Sequence, residues 1–560
     1  MPDLPTNPVP GVAGTHRRAW LLASLVFVLL RALPNISYPI GRDQATYLVI
    51  GRGLLDGQHL YQDLWDNKPP GIFYLSAIIV KLFGPVMWCV GLVDILWLLV
   101  MSYCVFRFAE RYLGVGAAAV AVVVSATWHI EAGYWEAAQT ETFLILFIFL
   151  AFLSVAREGR WLRLRHALAG VLCGAAFWLK YNAIVMAPLV VLLPYLDTRG
   201  LDEEPRRVGL VLPWREWVRR ALVFGAGFVA SVAAVLIAFR FSAAWAALKE
   251  VQFEVLPRYS AMALERTPNY FLWASQQTES VLGFWTEIAF LIAFVVAWKK
   301  RELGRVAPVL LSAAVGYLCV ALQVRFHAYG FETAFPFFAM VWGYLGVRVF
   351  QDFRRIAERC LQRGWKLARV LVWVLFANIV AWPLPGQAVS ILAHYRALGD
   401  WFRSPEVFYT SYPWANPISH FPDQMQVISY LRRNLAPGDN VFVWGSEPLI
   451  YFLTSRTCPT RFVSNLALVS PWSPPAWRDE MVQQLGKSPP RFLVVAREDA
   501  VPNIAYSRWD SEEFLQAFPE FTIFISDYYE STVNLRNFAI YQRRGAPPAE
   551  TSPSSTSLQK

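Results

Sequence analysis

The sequence predicts a polytopic α-helical membrane protein with about eleven spans and a C-terminal external α/β domain. Of its 560 residues, 56% are hydrophobic and only 16% are charged. Long uncharged apolar runs recur through the first two thirds of the chain, and short basic clusters separate them. From about residue 386 the pattern changes to short apolar strands that alternate with helices. Such an apolar excess is typical of a membrane protein rather than of a soluble one.

The candidate spans are apolar runs of about the length that a helix needs to cross a bilayer. The first run follows His16-Arg17-Arg18 and could belong to a signal peptide. No small-residue cleavage site follows it before Arg31 and Pro34, which favours an uncleaved first span. The candidate spans are residues 19–38, 87–106, 114–130, 142–156, 166–181, 183–196, 221–240, 281–298, 306–323, 333–349 and 369–385.

The loops between these runs alternate between basic and cation-poor, which predicts the orientation of the chain. Lysine and arginine are retained on the cytoplasmic side. The expected protein is therefore multi-pass in the plasma (inner) membrane, with a cytoplasmic N-terminus and a periplasmic or extracellular C-terminal domain. A net charge of +10 held in such clusters indicates a bilayer partner and no nucleic acid. The basic loops contain Arg107 and Arg111, Arg157–Arg165, Arg199–Arg220, Lys299–Arg305 and Arg348–Arg369.

These observations predict the following domains: a disordered cytoplasmic tail (1–18), a transmembrane domain (19–385) with an external loop (39–86), an external soluble α/β domain (386–544) and a disordered tail (545–560). Four of the six cysteines lie in apolar runs, which argues against a disulfide framework. The α/β domain carries no phosphate-binding glycine loop, metal-spaced Cys/His set or nucleophile elbow. Its predicted strands are Asn440–Trp444, Arg491–Ala496, Phe521–Ser526 and Phe538–Gln542, and its helices are Gln424–Asn434, Pro448–Thr454, Ala476–Leu485 and Ser511–Phe518.

The most polar part of the N-terminal third is the stretch Gly41–Tyr74 in the external loop. We predict two interfacial helices in this loop, Gln44–Leu55 and the apolar segment after Pro69-Pro70. One interpretation of the stretch is a solvated loop and the other is a reaction site. Asp43 could act as a general base, because a carboxylate where the chain leaves the membrane can accept a proton from an attacking hydroxyl. It could equally cap the helix that follows.

Four further polar residues lie near predicted outer ends of spans, and two of them have a structural alternative. Glu141 begins an apolar span, where the helix dipole favours an acid. Lys180 ends a span, where a lysine often extends to the interface as an anchor. Arg325 and Tyr329 lie at the end of another span. Such cations and acids beside a hydrophobic bundle predict a site for a phosphate-linked lipid.

The motifs of the external loop resemble those of a known superfamily. Asp43-Gln44 is followed by Tyr47, by GQHLYQD (57–63) and by WDNKPPG (65–71). The chain thereby resembles the C-type glycosyltransferases, in the bacterial branch related to dolichyl-phosphate-mannose protein mannosyltransferases and to the lipid A aminoarabinose transferase. That family has an Asp, a G-x-x-x-Y-x-D stretch and a K-P-P motif in its first external loop. Residues 20–350 fit the family's layout.

The resemblance implies a donor sugar on a polyprenyl phosphate and an inverting transfer to an acceptor hydroxyl at the outer face of the membrane. Asp43 would match the catalytic base and Glu141 the second acidic position. Lys68 would match the lysine that contacts the donor phosphate, and Lys180 and Tyr329 are further phosphate-site candidates. We also predict substrate contacts for Arg325, Tyr61 and Trp65. The acceptor is left open between a glycan, a lipid and a protein.

Two departures from the family pattern limit the resemblance. Gln44 replaces a common acidic neighbour of the first Asp, so a metal held by an acidic pair is not predicted, although a divalent metal requirement is left open. Thr46 stands where the aminoarabinose transferases have an arginine. That phosphate contact would come from Arg42, Arg52, Arg258 or Arg325, and the sequence does not distinguish among them.

Two other classes of function remain as alternatives. A polytopic transporter would distribute polar residues through its spans toward both sides, whereas here they gather on the predicted outer side and Asp94 is the main central charge. A non-catalytic protein that binds a lipid-linked sugar would need neither Asp43 nor Lys68. The presence of both residues therefore favours the transferase.

Overall fold

The computed structural model describes residues 10–156, 161–193, 213–381, 384–414 and 420–545. The chain divides into two compact units, each assembled from three separate stretches of sequence. Unit 1 contains Met1–Ser37, Gly91–Ile237 and Thr267–Leu398, and unit 2 contains Tyr38–Val90, Ala238–Arg266 and Gly399–Lys560. The external loop and the C-terminal α/β region thus belong to the same unit.

Helices form most of the described chain. The first seventeen are α1 (Pro10–Ala32), α2 (Arg42–Leu55), α3 (Gly71–Phe83), α4 (Cys89–Leu113), α5 (Val115–Ala132), α6 (Thr140–Val155), α7 (Leu162–Leu179), α8 (Ala187–Leu192), α9 (Trp214–Arg240), α10 (Trp245–Lys249), α11 (Leu256–Arg266), α12 (Tyr270–Leu282), α13 (Phe284–Lys299), α14 (Leu303–Ala321), α15 (Phe335–Gln362), α16 (Lys366–Ala381) and α17 (Leu384–Arg403). Short 3-10 segments at Leu33–Ser37, Tyr181–Met186 and Ala328–Thr333 and a π-helical turn at Glu250–Val255 connect some of them.

The C-terminal part of unit 2 alternates helices and strands. Its elements are α18 (Pro405–Thr410), α19 (Phe421–Asn434), β1 (Val441–Trp444), α20 (Leu449–Thr454), α21 (Leu466–Val469), α22 (Ala476–Lys487), β2 (Phe492–Ala496), α23 (Pro502–Ala505), α24 (Ser511–Gln516), α25 (Pro519–Tyr528), β3 (Tyr529–Asn534) and β4 (Phe538–Arg543). They form one four-stranded sheet in the order β1-β2-β4-β3. The β1–β2 pair is parallel, with Val443 opposite Val494, and the other two pairs are antiparallel.

One predicted strand is wrong. The stretch Phe521–Ser526 lies in helix α25, and the strand that enters the sheet is β3, which the sequence did not suggest. Pro519 stands in the first turn of α25, where proline is tolerated because its missing N–H has no helical partner. Phe521, Phe524 and Ile525 are buried while the residues between them are exposed, which is the spacing of one helix face.

The predicted number of spans is not confirmed, although each of the eleven predicted segments overlaps a helix. Within the described residues, six helices are long and apolar enough to cross a membrane, and the pair α12 and α13, bent by 85°, would make a seventh. The predicted spans 142–156 and 183–196 coincide with the shorter apolar helices Thr140–Val155 and Tyr181–Leu192. Helix α1 begins at Pro10, inside the predicted N-terminal tail. Residues 1–9 and 546–560 of the two predicted tails lie outside the described residues.

Small residues allow the helices of unit 1 to approach closely. A Cβ atom at Gly170 of α7 would overlap the carbonyl oxygen of Phe224 in α9, and one at Gly343 of α15 would overlap that of Ala117 in α5. Without hydrophobic driving force between apolar helices in lipid, such close backbone contact is a main source of packing energy. A glycine also allows close helix packing in unit 2, where Gly51 of α2 lies against the backbone of Ala77 in α3.

Candidate functional site

The first cluster of predicted site residues lies in unit 2, at the start of α2. The helix begins at Arg42 after the capping position Gly41, so Asp43 lies in the first turn and makes no side-chain cap. The alternative that Asp43 caps the helix is therefore wrong. The positive end of the helix dipole stabilises the Asp43 carboxylate in this position. Lys68 Nζ lies 3.9 Å from Asp43 Oδ2 and 4.0 Å from Asp66 Oδ1.

The Asp43–Lys68 pair is partly open to solvent. The side chain of Asp43 is 31% exposed and that of Lys68 is 18% exposed. The Lys68 ammonium also lies 5.0 Å from the ring centroid of Tyr47, within reach of a cation–π interaction. Burial raises the pKa of the Asp66 carboxyl, while the nearby Lys68 ammonium acts against that rise. The pair therefore combines an accessible carboxylate with a fixed cation.

The backbone around Lys68 is held by several hydrogen bonds. The Tyr61 hydroxyl donates to the Lys68 carbonyl oxygen at 2.8 Å, and Gln252 Nε2 donates to the same oxygen at 3.2 Å. The Lys68 N–H donates to Asp66 Oδ1 at 2.9 Å. Tyr61 is fully buried and has a left-handed φ of 68°. The Tyr61 hydroxyl thus contacts the turn that contains Lys68.

Trp65, another predicted substrate contact, is enclosed by aromatic residues of the C-terminal part of unit 2. Its ring stacks on Trp472 with centroids 6.0 Å apart and meets Trp477 edge-on at 5.2 Å. Its backbone N–H donates to the Arg461 carbonyl oxygen at 2.7 Å. Arg461 in turn pairs with Glu250 at 3.0 Å. These contacts attach the motif that contains Lys68 to the α/β region.

Helix α2 is attached to the same region at both of its ends. Arg42 donates to the buried carboxylate of Glu447, which also accepts from Gln424. Arg52, near the other end, donates to the carbonyl oxygens of Tyr451 and Arg456. Burial raises the pKa of Glu447 to about 7, against the opposing effect of the Arg42 guanidinium. Arg42 and Arg52, two of the four arginines proposed for the phosphate contact, thus form hydrogen bonds within the protein.

The second cluster lies in unit 1. Glu141 is in the first turn of α6 and is fully buried. It forms an ion pair with Lys180, and the Thr140 hydroxyl also donates to it. Lys180 ends α7 in an extended backbone conformation, and its Nζ donates to Gln323 Oε1 at 2.7 Å. Lys180 therefore does not simply extend to the interface as an anchor.

Tyr329 and Arg325 complete the second cluster. The Lys180 ammonium lies 5.4 Å from the ring centroid of Tyr329, which stacks on His327 at 5.2 Å. Arg325 is buried, and its neighbours Val324 and Phe326 both have left-handed φ angles, 66° and 44°. A β-branched or aromatic residue in this region carries backbone strain, which is common at ligand sites.

The sequence does not predict a buried group of three hydrogen-bonded acid and histidine side chains that the structure shows in unit 1. His129 Nε2 lies 2.9 Å from Asp94 Oδ1, and His129 Nδ1 lies 2.8 Å from Glu332 Oε1. All three side chains are buried, and Glu332 belongs to the same short 3-10 segment as Tyr329. The sequence singles out Asp94 alone, as a central charge in an apolar run. His129 and Glu332 lie in other elements, and their spacing in the sequence gave no signal.

The predicted site residues thus form two clusters, one in each unit. Asp43, Lys68, Tyr61 and Trp65 belong to unit 2, whereas Glu141, Lys180, Tyr329 and Arg325 belong to unit 1. In each cluster a lysine pairs with a predicted catalytic carboxylate, and an aromatic ring lies beside the ammonium group. Within the described part of the chain, no three His, Cys, Asp or Glu side chains are grouped so that they could hold a metal ion.

Comparison with known proteins finds similarity in sequence over part of the chain. A family model described as dolichyl-phosphate-mannose-protein mannosyltransferase matches residues 67–202, a range that includes Lys68, Glu141 and Lys180. No curated protein matches the chain.

Solved structures are similar over nearly the whole chain. ArnT from Cupriavidus metallidurans, in a crystal structure with undecaprenyl phosphate bound, has a TM-score of 0.51 and 14% identity, and the match covers 94% of this chain and 98% of that one. The archaeal oligosaccharyltransferase AglB from Archaeoglobus fulgidus, in complex with an inhibitory peptide and a dolichol-phosphate, has a TM-score of 0.45 and 12% identity over 95% of this chain and 77% of that one. The resemblance of this chain to the C-type glycosyltransferases, a superfamily of membrane proteins, is thereby confirmed.

Proposed function

We propose that this protein is a membrane glycosyltransferase that moves a sugar from a polyprenyl-phosphate donor to an acceptor hydroxyl, with inversion at the anomeric carbon. The observation that carries the proposal is the accessible Asp43 carboxylate with the Lys68 ammonium 3.9 Å away. Its donor class is supported by the family model over residues 67–202, whose description names dolichyl-phosphate-mannose, and by the undecaprenyl phosphate in the ArnT structure.

The chemistry requires a base and a cation, and the first cluster offers both. Asp43 takes the proton of the acceptor hydroxyl as its oxygen attacks the anomeric carbon. The bond from that carbon to the phosphate oxygen breaks, and the electron pair leaves with the polyprenyl phosphate. Lys68 stabilises the negative charge that develops on the phosphate. Tyr61 acts through the Lys68 backbone, which its hydroxyl holds.

We propose the residues of the second cluster as further phosphate-binding candidates within unit 1. Lys180 and Arg325 supply positive charge, and Tyr329 supplies a hydroxyl donor. Glu141 is fully buried and ion-paired with Lys180, so we assign it a positioning role in place of the catalytic role implied by the resemblance. The orientation predicted from the basic loops puts this chemistry at the outer face of the plasma membrane.

The test is to compare wild type with Asp43→Asn. We expect turnover of polyprenyl-phosphate sugar to fall by about 10²–10⁴-fold, the usual contribution of a general base. The donor should accumulate on the purified variant, where mass spectrometry of bound lipids would identify its sugar. Asp56→Asn is the matched control, because Asp56 is an exposed aspartate at the other end of α2.

Two results would contradict the proposal. Retained turnover in Asp43→Asn would exclude Asp43 as the base. If neither wild type nor the folded variant carries a polyprenyl-phosphate sugar, the transporter becomes the better hypothesis. Bound donor without turnover in wild type, across candidate acceptors, would support the non-catalytic sugar-binding protein.

A further inference from the structure

A cavity of about 610 Å³ lies in unit 1, at the opposite end of α6 from Glu141. Residues of four helices meet around it. Arg17 stands at the start of the candidate span in α1 and Arg165 in the first turn of α7, while Arg107 and Arg111 lie in the last two turns of α4 and Ala156 directly follows α6. In helices that cross a membrane in alternating directions, such residues lie at the same interface, which is the depth of the lipid headgroups.

The cavity has an excess of positive charge. Among the described residues that line it, four are arginines and one, Glu110, is an acid. Glu110 forms ion pairs with Arg17 and with Arg107, the latter at 3.3 Å, and so holds two guanidinium groups from different helices at one place. Arg111 is fixed on the other side by donating to the Ala156 carbonyl oxygen at 3.3 Å. Arginine presents a planar set of donors that matches phosphate oxygens.

Apart from Tyr103 and Ser154, the rest of the lining is apolar. Leu150, Phe152 and Leu153 of α6 contribute one wall, and Leu168 of α7 contributes another. Leu168 is 48% exposed, and Val171, one turn after it and further from the start of α7, is 41% exposed. On a membrane-spanning helix such exposed apolar residues face the acyl chains. A hydrophobic path therefore leads from the arginines to the lipid.

From these features we propose that the cavity binds the headgroup of an anionic glycerophospholipid of the surrounding leaflet. The phosphodiester contacts Arg107, Arg111 and Arg165, and an acyl chain follows Leu168 and Val171 toward the middle of the bilayer. A free phosphate ion would use the arginines alone and would gain nothing from the apolar wall. Basic pockets between membrane helices are known to bind lipids in this way. The proposal does not depend on the proposed transferase activity.

The test measures phosphatidylglycerol on the full-length protein by native mass spectrometry, after delipidation and titration in neutral detergent. Wild type should bind phosphatidylglycerol in preference to phosphatidylcholine. Arg107→Gln/Arg111→Gln should weaken phosphatidylglycerol about thirtyfold, since each basic residue near the headgroups contributes about 1 kcal/mol, and Arg165→Gln alone should weaken it about fivefold. The single variant keeps the test available if the double variant does not fold.

The matched control removes the same charge elsewhere. Arg354→Gln/Arg355→Gln neutralises two exposed arginines near the end of α15, outside the cavity, and should leave the affinity unchanged. Equal weakening by both double variants would assign the effect to net charge and overturn the proposal. So would a wild type without preference for phosphatidylglycerol. Displacement of the lipid by millimolar inorganic phosphate would show that the site takes a free anion and would overturn the assignment to a lipid.

Discussion

Two lysine–carboxylate pairs, one in each unit, differ in how far the protein encloses them. Both carboxylates stand in the first turn of a helix, Asp43 in α2 and Glu141 in α6. Asp43 is 31% exposed and 3.9 Å from its lysine, whereas Glu141 is fully buried and in direct contact with Lys180. The lysine of the closed pair also donates to Gln323.

This difference in burial suits the two carboxylates to different roles. A carboxylate that takes a proton from a substrate must be reachable and only loosely paired, since a close ion pair would lower its basicity. A carboxylate that holds a cation in place works best when it is buried with that cation. The first description fits Asp43 and the second fits Glu141. Variants of the two pairs should therefore differ in whether activity or stability changes.

Glu141→Gln should give the largest change in stability. It leaves the Lys180 ammonium without the buried charge that faces it, which typically lowers the free energy of unfolding by about 3–5 kcal/mol. Asp43→Asn breaks a partly exposed pair and should cost less than about 1 kcal/mol. Thermal unfolding of both variants in the same detergent measures the contrast. Equal shifts in melting temperature would remove the distinction between an open and a closed pair.

Glu447→Gln examines a closed carboxylate in the unit that contains the open pair. Burial raises the pKa of Glu447 from 4.5 to about 7, so between these pH values the folded protein binds more protons than the unfolded chain. The free energy of unfolding therefore falls as pH rises from 4.5 to 7, by at most about 3 kcal/mol from this group.

The variant lacks this titration. Its stability relative to wild type should accordingly be higher at pH 8 than at pH 5. Melting temperatures of both proteins across this range give the difference, in which other titrating groups cancel. A difference that stays constant with pH, or that falls as pH rises, would show that ionised Glu447 is no less stable in the folded protein than in the unfolded chain.

Tyr61→Phe should have the smallest effect. It removes the hydrogen bond to the Lys68 carbonyl oxygen and should cost about 1 kcal/mol of stability. If that bond positions Lys68, turnover should fall several-fold while Lys68 itself is intact. Tyr528→Phe, at an exposed tyrosine of α25, is the control for loss of a hydroxyl. Unchanged turnover in Tyr61→Phe would confine the role of this hydroxyl to stability.

Local sequence patterns predicted much of this fold. The apolar runs overlap helices throughout, and the alternation after residue 386 correctly indicated a sheet with helices. Runs such as Val441–Trp444 and Phe492–Ala496 are buried along their whole length and read as strands whatever surrounds them. The strand prediction for Phe521–Ser526 was wrong because β-branched and aromatic residues are compatible with either a strand or a helix. Pro519 and the buried helix face favour the helix.

The sequence could not show which residues far apart along the chain contact each other. Asp43 and Lys68 lie in two motifs of the same external loop, so the resemblance predicted that they act at one site. Arg42 and Glu447 are 405 positions apart, and neither stands in a motif that points to the other. His129 and Glu332 are likewise brought together only by helix packing. A periodic pattern shows which face of an element is buried but gives no information on what covers it.

The attachment of α2 to Glu447 has a consequence for how the chain is made. Residues 38–90 leave the ribosome early, yet the groups that receive Arg42, Arg52 and the Trp65 N–H belong to residues 447–461. At 5–20 residues per second, about 20–80 seconds of synthesis separate Arg42 from its carboxylate. During that interval residues 38–90 have no completed sheet to pack on. The packing of unit 2 is completed only after residues 447–461 have been synthesised. Nascent chains of this protein are therefore expected to depend on chaperones longest at the segment that carries Asp43.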